Sequence, residues 1–386
     1  MTLLDAARDR LDAMIADART LIACESPSED PAAVERSADV TAAVVDARLA
    51  QAGLAVPVER IVVDGAPHLR WTFGGGARRV LLVCHHDTVW PLGTLERIPF
   101  SLADGVMRGP GCYDMVVGTV QALHAVCALA SAGGAAAVDG VTLLVTADEE
   151  VGSPSSRALI ESEARKHGAA LVLEASGPGG AVKTERKGVS WYELEVMGRA
   201  AHSGLEPERG VNAGVELAHQ ILALASLADV DAGTTVTPTR GAIGTTGNTV
   251  PASARVSIDV RCRTAAEQDR VDAALHALRP VVAGARLVVH GGVNRRPLER
   301  SSASSLFERA SALAAEAGIE ALDQVAVGGA SDGNFTAGVG TPTLDGLGAV
   351  GGGAHADDEH VLVEHIPSRT ALVALLIRDL VREGTR

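Results

Sequence analysis

The stretch "RVLLVCHHDTVW", residues 79–90, decides the fold. From Val80 to Cys84 it is apolar, and it then turns abruptly to His85, His86 and Asp87. An apolar run this short, closed by polar residues, reads as a buried strand. Outward from it, a helix is predicted from about Gly118 ("GTVQALHAVCALASAG") to the Gly133–Gly134 pair, a natural stop. "VTLLVTA" (141–147) is a second buried strand, "SSRALIESEARKHG" (155–168) a helix and "AALVLEA" (169–175) a third strand. Strands alternating with helices imply an α/β fold with a mostly parallel sheet. In such sheets ligands bind at the carboxyl ends of the strands, where His85–Asp87 sit.

Upstream, helical periodicity covers residues 3–24 and 32–52, followed by the β-rich runs "AVPVERIVV" and "HLRWTFGG". From about Lys183 the texture changes. "GVSWYELEVMG" alternates polar and apolar residues, as a strand with one solvated face does. Near Arg296 the first texture returns, with a helix at 302–317 and a last helix from about Ile366. The expected organisation is a domain of residues 1–182 and 296–386 interrupted by a smaller α+β domain of residues 183–295. A chain of 386 residues with 47% hydrophobic content fits two such cores. Its net charge of −14 argues against nucleic acid and anionic membranes, leaving small molecules or peptides as partners. Five cysteines without a pairing pattern suggest free thiols in a reducing compartment, and the N-terminal residues read as neither signal peptide nor membrane span. A cytoplasmic protein is expected.

Alternate residues of a strand face opposite ways, so His85 and Asp87 share a face and His86 points elsewhere. A histidine held by a carboxylate is a common arrangement at a metal site. Alone the pair is as readily structural. Further clusters fall where the crevice should be: "GPGCYDM" with Asp114, "TADEEVGS" with Asp148, Glu149 and Glu150, "LVLEASG" with Glu174, and "GGGAHADDEHV" with His355. Each acid has an ordinary explanation as a solvated residue or a helix cap. Together they point to a metal centre.

These segments, with "AHSG", follow the order and spacing of the M20 metallopeptidase family, and the chain most resembles its glutamate carboxypeptidase (carboxypeptidase G) branch. "DTVWPLGTLERIPFSLADGVMRGPG" and "DEEVGSPSSRALIESEA" carry the branch likeness. The resemblance implies two Zn²⁺ ions bridged by Asp114, one also held by His85 and Glu174, the other by Glu150 and His355; Co²⁺ or Mn²⁺ would suit the same donors. Three carboxylates and a bridging hydroxide would bring such a pair near neutrality. It further implies Glu149 as the general base, Asp87 as the residue orienting His85, and a cis peptide between Asp114 and Met115. Asp148 is read as a cap, and His86 as a packed core or surface histidine.

The resemblance also assigns the inserted domain as lid and dimerisation surface: a four-stranded antiparallel sheet with helices on one side, moving on linkers near residues 182 and 296. His202 of "GRAAHSG" would act across a homodimer on the scissile carbonyl. Asn248 and Arg261 match residues that hold a substrate carboxylate, a task suited to the planar guanidinium fork; a surface salt bridge is the competing reading of Arg261. Lys183 and Arg186 could meet a second acid. In "VGGASDGNF", Gly329, Ser331 and Asp332 are expected substrate contacts, though a tight turn explains them nearly as well. One departure is visible, since Val116–Val117 stands where the family often has Lys-Gly. The glycines of "FGGGARRVLLV" precede their strand, so they are not a dinucleotide fingerprint. The implied reaction is hydrolysis of the amide bond to a C-terminal amino acid, with glutamate one candidate, in N-acyl or peptide substrates carrying a free carboxylate. Deacylation of acetylornithine, succinyl-diaminopimelate or other N-acyl amino acids, or hydrolysis of a carbamoyl amide, is the alternative on the same scaffold.

Overall fold

A computed structural model describes residues 2–383. The chain divides into two compact units. The first comprises Met1–Glu185, Arg300–Ala326 and Ser331–Arg386, and the second Arg186–Glu299 with Val327–Ala330.

The first unit is built on a six-stranded sheet whose centre is the strand Val80–His85. All six of its residues are buried, as the apolar run requires. It pairs in parallel with Val141–Thr146 on one side and Ala169–Val172 on the other, and Thr343–Leu344 extends the parallel part beyond Ala169–Val172. The hairpin Glu59–Val63 and Ala66–Thr72 joins antiparallel at the other edge. The sheet is therefore mostly parallel, with its polar side chains gathered at one end of the central strands. Helix Val117–Gly133 is buried over almost its whole length. With the preceding turn it is long and apolar enough to cross a membrane, yet 83% of that window lies inside the protein, so it is a core helix. Gly118 near its start is fixed by packing, since a Cβ there would stand 2.0 Å from the carbonyl oxygen of Leu173. The expected N-terminal helix breaks into Leu3–Arg8 and Leu11–Ile22; Pro31–Gln51 follows, with Asp30 capping the N–H of Ala33.

A small antiparallel sheet was not legible in the sequence. It pairs Gly351–Gly352, His360–Leu362, Val106–Arg108 and Ser101–Ala103, with His360 opposite Arg108. This ladder brings the glycine-rich segment 351–361 beside the turn at 109–114.

The second unit is a four-stranded antiparallel sheet in the order Thr235–Ile243, Ser253–Cys262, Gly188–Met197, Arg286–Arg295. Tyr192, Leu194 and Val196 on the central strand form one core with Leu217 and Leu224 of helix Ala213–Ala225 and Val271 and Leu275 of helix Ala265–His276. Both helices thus cover one face. The other carries Trp191, Glu193 and Glu195, the solvated alternation expected from "GVSWYELEVMG".

Candidate active site

Five segments of the first unit converge at the carboxyl ends of the central strands. Val80–His85 and Val141–Thr146 run in register to His85 opposite Thr146, so residues 85–87 and 148–150 emerge side by side. Ala169–Val172 delivers Glu174 just beyond its end. Asp114 lies in the turn before helix Val117–Gly133, and its peptide bond to Met115 is cis. His355 lies on the loop after Gly351–Gly352, at a φ of 61°, a left-handed conformation uncommon for a side chain with a Cβ.

Asp114 stands between the two histidines. Its Oδ1 is 3.4 Å from His85 Nε2, and its Oδ2 is 3.4 Å from His355 Nε2. Glu174 Oε1 lies 3.7 Å from His85 Nε2, and Glu150 Oε2 lies 3.2 Å from His355 Nε2. Glu149 offers a carboxylate oxygen within 4.8 Å of the corresponding atoms of His85 and Glu174.

The His85 ring is oriented from behind. Its Nδ1 donates to the backbone carbonyl of Asp87 at 2.9 Å, which leaves the Nε2 lone pair facing Asp114 and Glu174. The Asp87 carboxylate is slightly further from Nδ1, at 3.4 Å, and has other work. It accepts the N–H groups of Glu149 (3.2 Å) and Glu150 (3.1 Å) and the hydroxyl of Ser28 (2.6 Å). Asp87 therefore fixes His85 mainly through its main chain and the Glu149–Glu150 turn through its side chain. Asp148 is a cap: its Oδ2 accepts from the Ser155 N–H and hydroxyl and from the Ser156 N–H, ahead of helix Arg157–Ala164. His86 is buried between Ser37 and the Pro67 carbonyl.

Crowding so many carboxylates in a buried place needs positive charge. Burial alone would raise Asp114, but the neighbouring imidazoles of His355 and His85 outweigh it and hold that carboxyl well below the usual range. His355 is raised to about 10 by hydrogen bonds to Asp114 and Glu150, against burial. Burial disfavours charge on His85, yet the nearby carboxylates of Asp114, Asp87 and Glu174 lift it well above the ordinary imidazole value. Burial pushes Glu150 up to about 7, with the His355 bond opposing.

The residues fit a metal. His85 Nε2 and Glu150 Oε1 are buried and have no hydrogen-bond partner among the described residues, and both belong to the cluster. Imidazole nitrogens with carboxylate oxygens are the donor set of catalytic zinc. Cys84 and Cys112 are buried free thiols, Cys84 raised to about 12 by burial, which suits packing and not ligation.

The remaining predicted contacts are placed as follows. In the second unit His202 is exposed and pairs opposite Thr249, while Asn248, also exposed, accepts the Ser203 N–H through its carbonyl. Arg261 makes a bidentate pair with Asp259, at 2.8 and 2.9 Å, and Trp191 Nε1 donates to the same carboxylate. That is the salt-bridge reading of Arg261. The Gly329 carbonyl accepts from buried Arg186. Ser331, in the first unit, is fully buried, and its hydroxyl donates to Asp345 and accepts the Gly333 N–H. Asp332 is likewise buried, accepting from Thr146 and Ser153. Both tether the loop from within. Ser28 and Glu359 are the positions that sequence reasoning missed. Ser28 lies 59 residues from its partner Asp87, with no local pattern to link them. Glu359 sits four residues after His355 in the same motif, a spacing that could have drawn notice.

The model of "Peptidase family M20/M25/M40" matches residues 81–379, more than half of the chain. Carboxypeptidase G2 of Pseudomonas sp. (strain RS-16) is 31% identical over 318 residues, 80% of this chain and 75% of that protein. Succinyl-diaminopimelate desuccinylase of Dinoroseobacter shibae is 28% identical, covering 87% of this chain and 92% of its own. Among solved structures, the aminopeptidase PepT of Bacillus cereus superposes with a TM-score of 0.73 at 21% identity, over 96% of this chain and 98% of that one, a likeness of fold. On the family match and the 31% relative, supported by the shared fold, the chain belongs to peptidase family M20/M25/M40.

Proposed function

We propose that the protein is a two-metal hydrolase that cleaves the amide bond to a C-terminal amino acid in N-acyl or peptide substrates. The observation that carries this is Asp114, with one oxygen toward each of two histidines and a further glutamate beside each. His85 and Glu174 would hold one ion, Glu150 and His355 the other, and Asp114 both. Zn²⁺ fits the donors, as do Co²⁺ and Mn²⁺. Bound there, the ions would polarise the scissile carbonyl and bring the pKa of water to ~7.

Glu149 is the proposed general base. Its neighbour Glu150 pairs with His355, whereas Glu149 stands on the His85–Glu174 side with its N–H anchored by Asp87. It would take the proton of the attacking water and pass it to the leaving amine. Arg261 and Asn248 are proposed to hold the substrate carboxylate. Arg261 is held bidentate by Asp259, the same fork-on-carboxylate geometry that a substrate carboxylate would take up in exchange. We carry a homodimer, with His202 acting in trans, as part of the same reading. Its measurement is sedimentation of the native protein together with turnover of His202→Ala, which should fall in a confirmed dimer.

The deciding experiment is amino-acid release from N-acyl and dipeptide libraries by metal-reconstituted protein. Glutamate is the first C-terminal residue to test, following the carboxypeptidase likeness. Deacylation of succinylated or acetylated amino acids is the second reading, favoured by the likeness to the desuccinylase over 92% of that protein. A strict demand for a small acyl group would select it.

A further inference from the structure

We propose that Glu359 is a positioning residue that locks Asp114 and the His355 loop together, so that the shared ligand and one terminal ligand are preset before metal arrives. The inference rests on the two-metal reading above. Glu359 is only 1% exposed, and its carboxylate accepts four hydrogen bonds. Oε1 takes the N–H groups of Tyr113 at 2.9 Å and Asp114 at 3.0 Å. Oε2 takes the Gly111 N–H at 2.9 Å and the Trp90 indole N–H at 2.8 Å. A carboxylate has about four lone-pair sites, so this one is fully used.

The donors come from two separate segments and the acceptor from a third. One is the turn that ends in Asp114. Another is the loop leaving His85 and Asp87, where Trp90 sits. The third carries His355, four residues before Glu359. The loop also has turn bonds of its own, from the Ala356 N–H to the Gly353 carbonyl and from the Glu359 N–H to the Ala356 carbonyl, and rim contacts of Arg97 with Asp357 and of Arg108 with the Asp358 carbonyl at 3.0 Å. His355 itself is half-exposed at the loop's tip, in a left-handed conformation. Its place opposite Asp114 Oδ2 therefore depends on how the base of the loop is tied to the Asp114 turn, and Glu359 makes that tie. Partners of this kind, one step behind the ligands, typically tune metal affinity 10–100-fold.

Glu216 in the second unit is the natural control. It too is a fully buried carboxylate accepting backbone N–H groups, from Val281 and Val282. The experiment is chelator-competition titration with Zn²⁺, alongside thermal melts of the metal-free proteins and kcat and KM at saturating metal. In Glu359→Gln the amide NH₂ opposes N–H groups that now point at an oxygen. Affinity for the more weakly held ion should fall about 10–100-fold, with kcat reduced and KM changed little. Trp90→Phe keeps an aromatic side chain but removes the indole N–H together with its five-membered ring, and should weaken the same ion several-fold. Glu216→Gln should lower the melting temperature and leave Zn²⁺ affinity unchanged. A folded Glu359→Gln with wild-type affinity overturns the proposal, as does Glu216→Gln weakening Zn²⁺ equally. If Glu359→Gln does not fold, Trp90→Phe decides, and unchanged affinity there overturns it. Wild-type protein that takes up no Zn²⁺ would instead overturn the two-metal reading itself.

Discussion

Glu149 and Glu150 are neighbours in sequence with different surroundings. Glu150 is raised to about 7 by burial and lies 3.2 Å from His355, while Glu149 faces His85 and Glu174. Glu149→Gln should therefore keep both ions, by metal analysis, and lose about 10²–10⁴-fold in kcat. Glu150→Gln should lose metal first and activity as a consequence. Asp87→Asn tests a different role. An amide can accept only on its oxygen, so one of the three donors on Asp87 loses its acceptor, and Zn²⁺ affinity is expected to fall about 10–100-fold. The positions of His85, Asp114, Glu149, Glu150 and Glu174 were legible because each followed an apolar run or a glycine turn. The second task of Asp87 was not, since it depends on main-chain N–H groups more than 60 residues away.

At the level of elements, the central parallel strands and the antiparallel sheet of the second unit follow from their apolar runs and their alternation. The four short strands around His355 escaped because two- and three-residue strands leave no periodicity to read. Helix Val117–Gly133 was expected to start near Gly118, and packing gives that glycine its meaning. Gly118→Ala sets a methyl 2.0 Å from the Leu173 carbonyl, immediately before Glu174. Helix and strand must part, at about 1–3 kcal/mol. The melting temperature should drop, and Zn²⁺ on the His85–Glu174 side should loosen with it.

Across the whole molecule, charge is the dominant theme. The buried acids at the strand ends repel one another, so stripping metal with a chelator should lower the melting temperature. A site filled at 100 times its dissociation constant contributes about 2.7 kcal/mol. A second effect is independent of the metal. His68, His86, His124 and His167 are all buried, and burial depresses each below the ordinary imidazole value. Their folded pKa values lie below the unfolded ones, so between those values the unfolded chain binds protons that the native protein refuses. Stability should thus decline as pH falls below about 6.5, by up to about 1.4 kcal/mol per pH unit for each histidine. Melts from pH 7.5 to 5 on the metal-free protein measure it together with the opposing contribution of Glu150, whose raised value adds stability as pH falls from about 7. His124→Gln should flatten the histidine part of the slope, which isolates it. Trp191 adds an optical consequence. Of the three indoles it alone is substantially open to solvent, at 45% exposure, and it shares Asp259 with Arg261. Any ligand that draws the guanidinium off Asp259 leaves that carboxylate beside the ring without its counter-charge. Fluorescence should change in colour or yield on binding, giving a label-free signal for occupancy even with a base-deleted, inert enzyme.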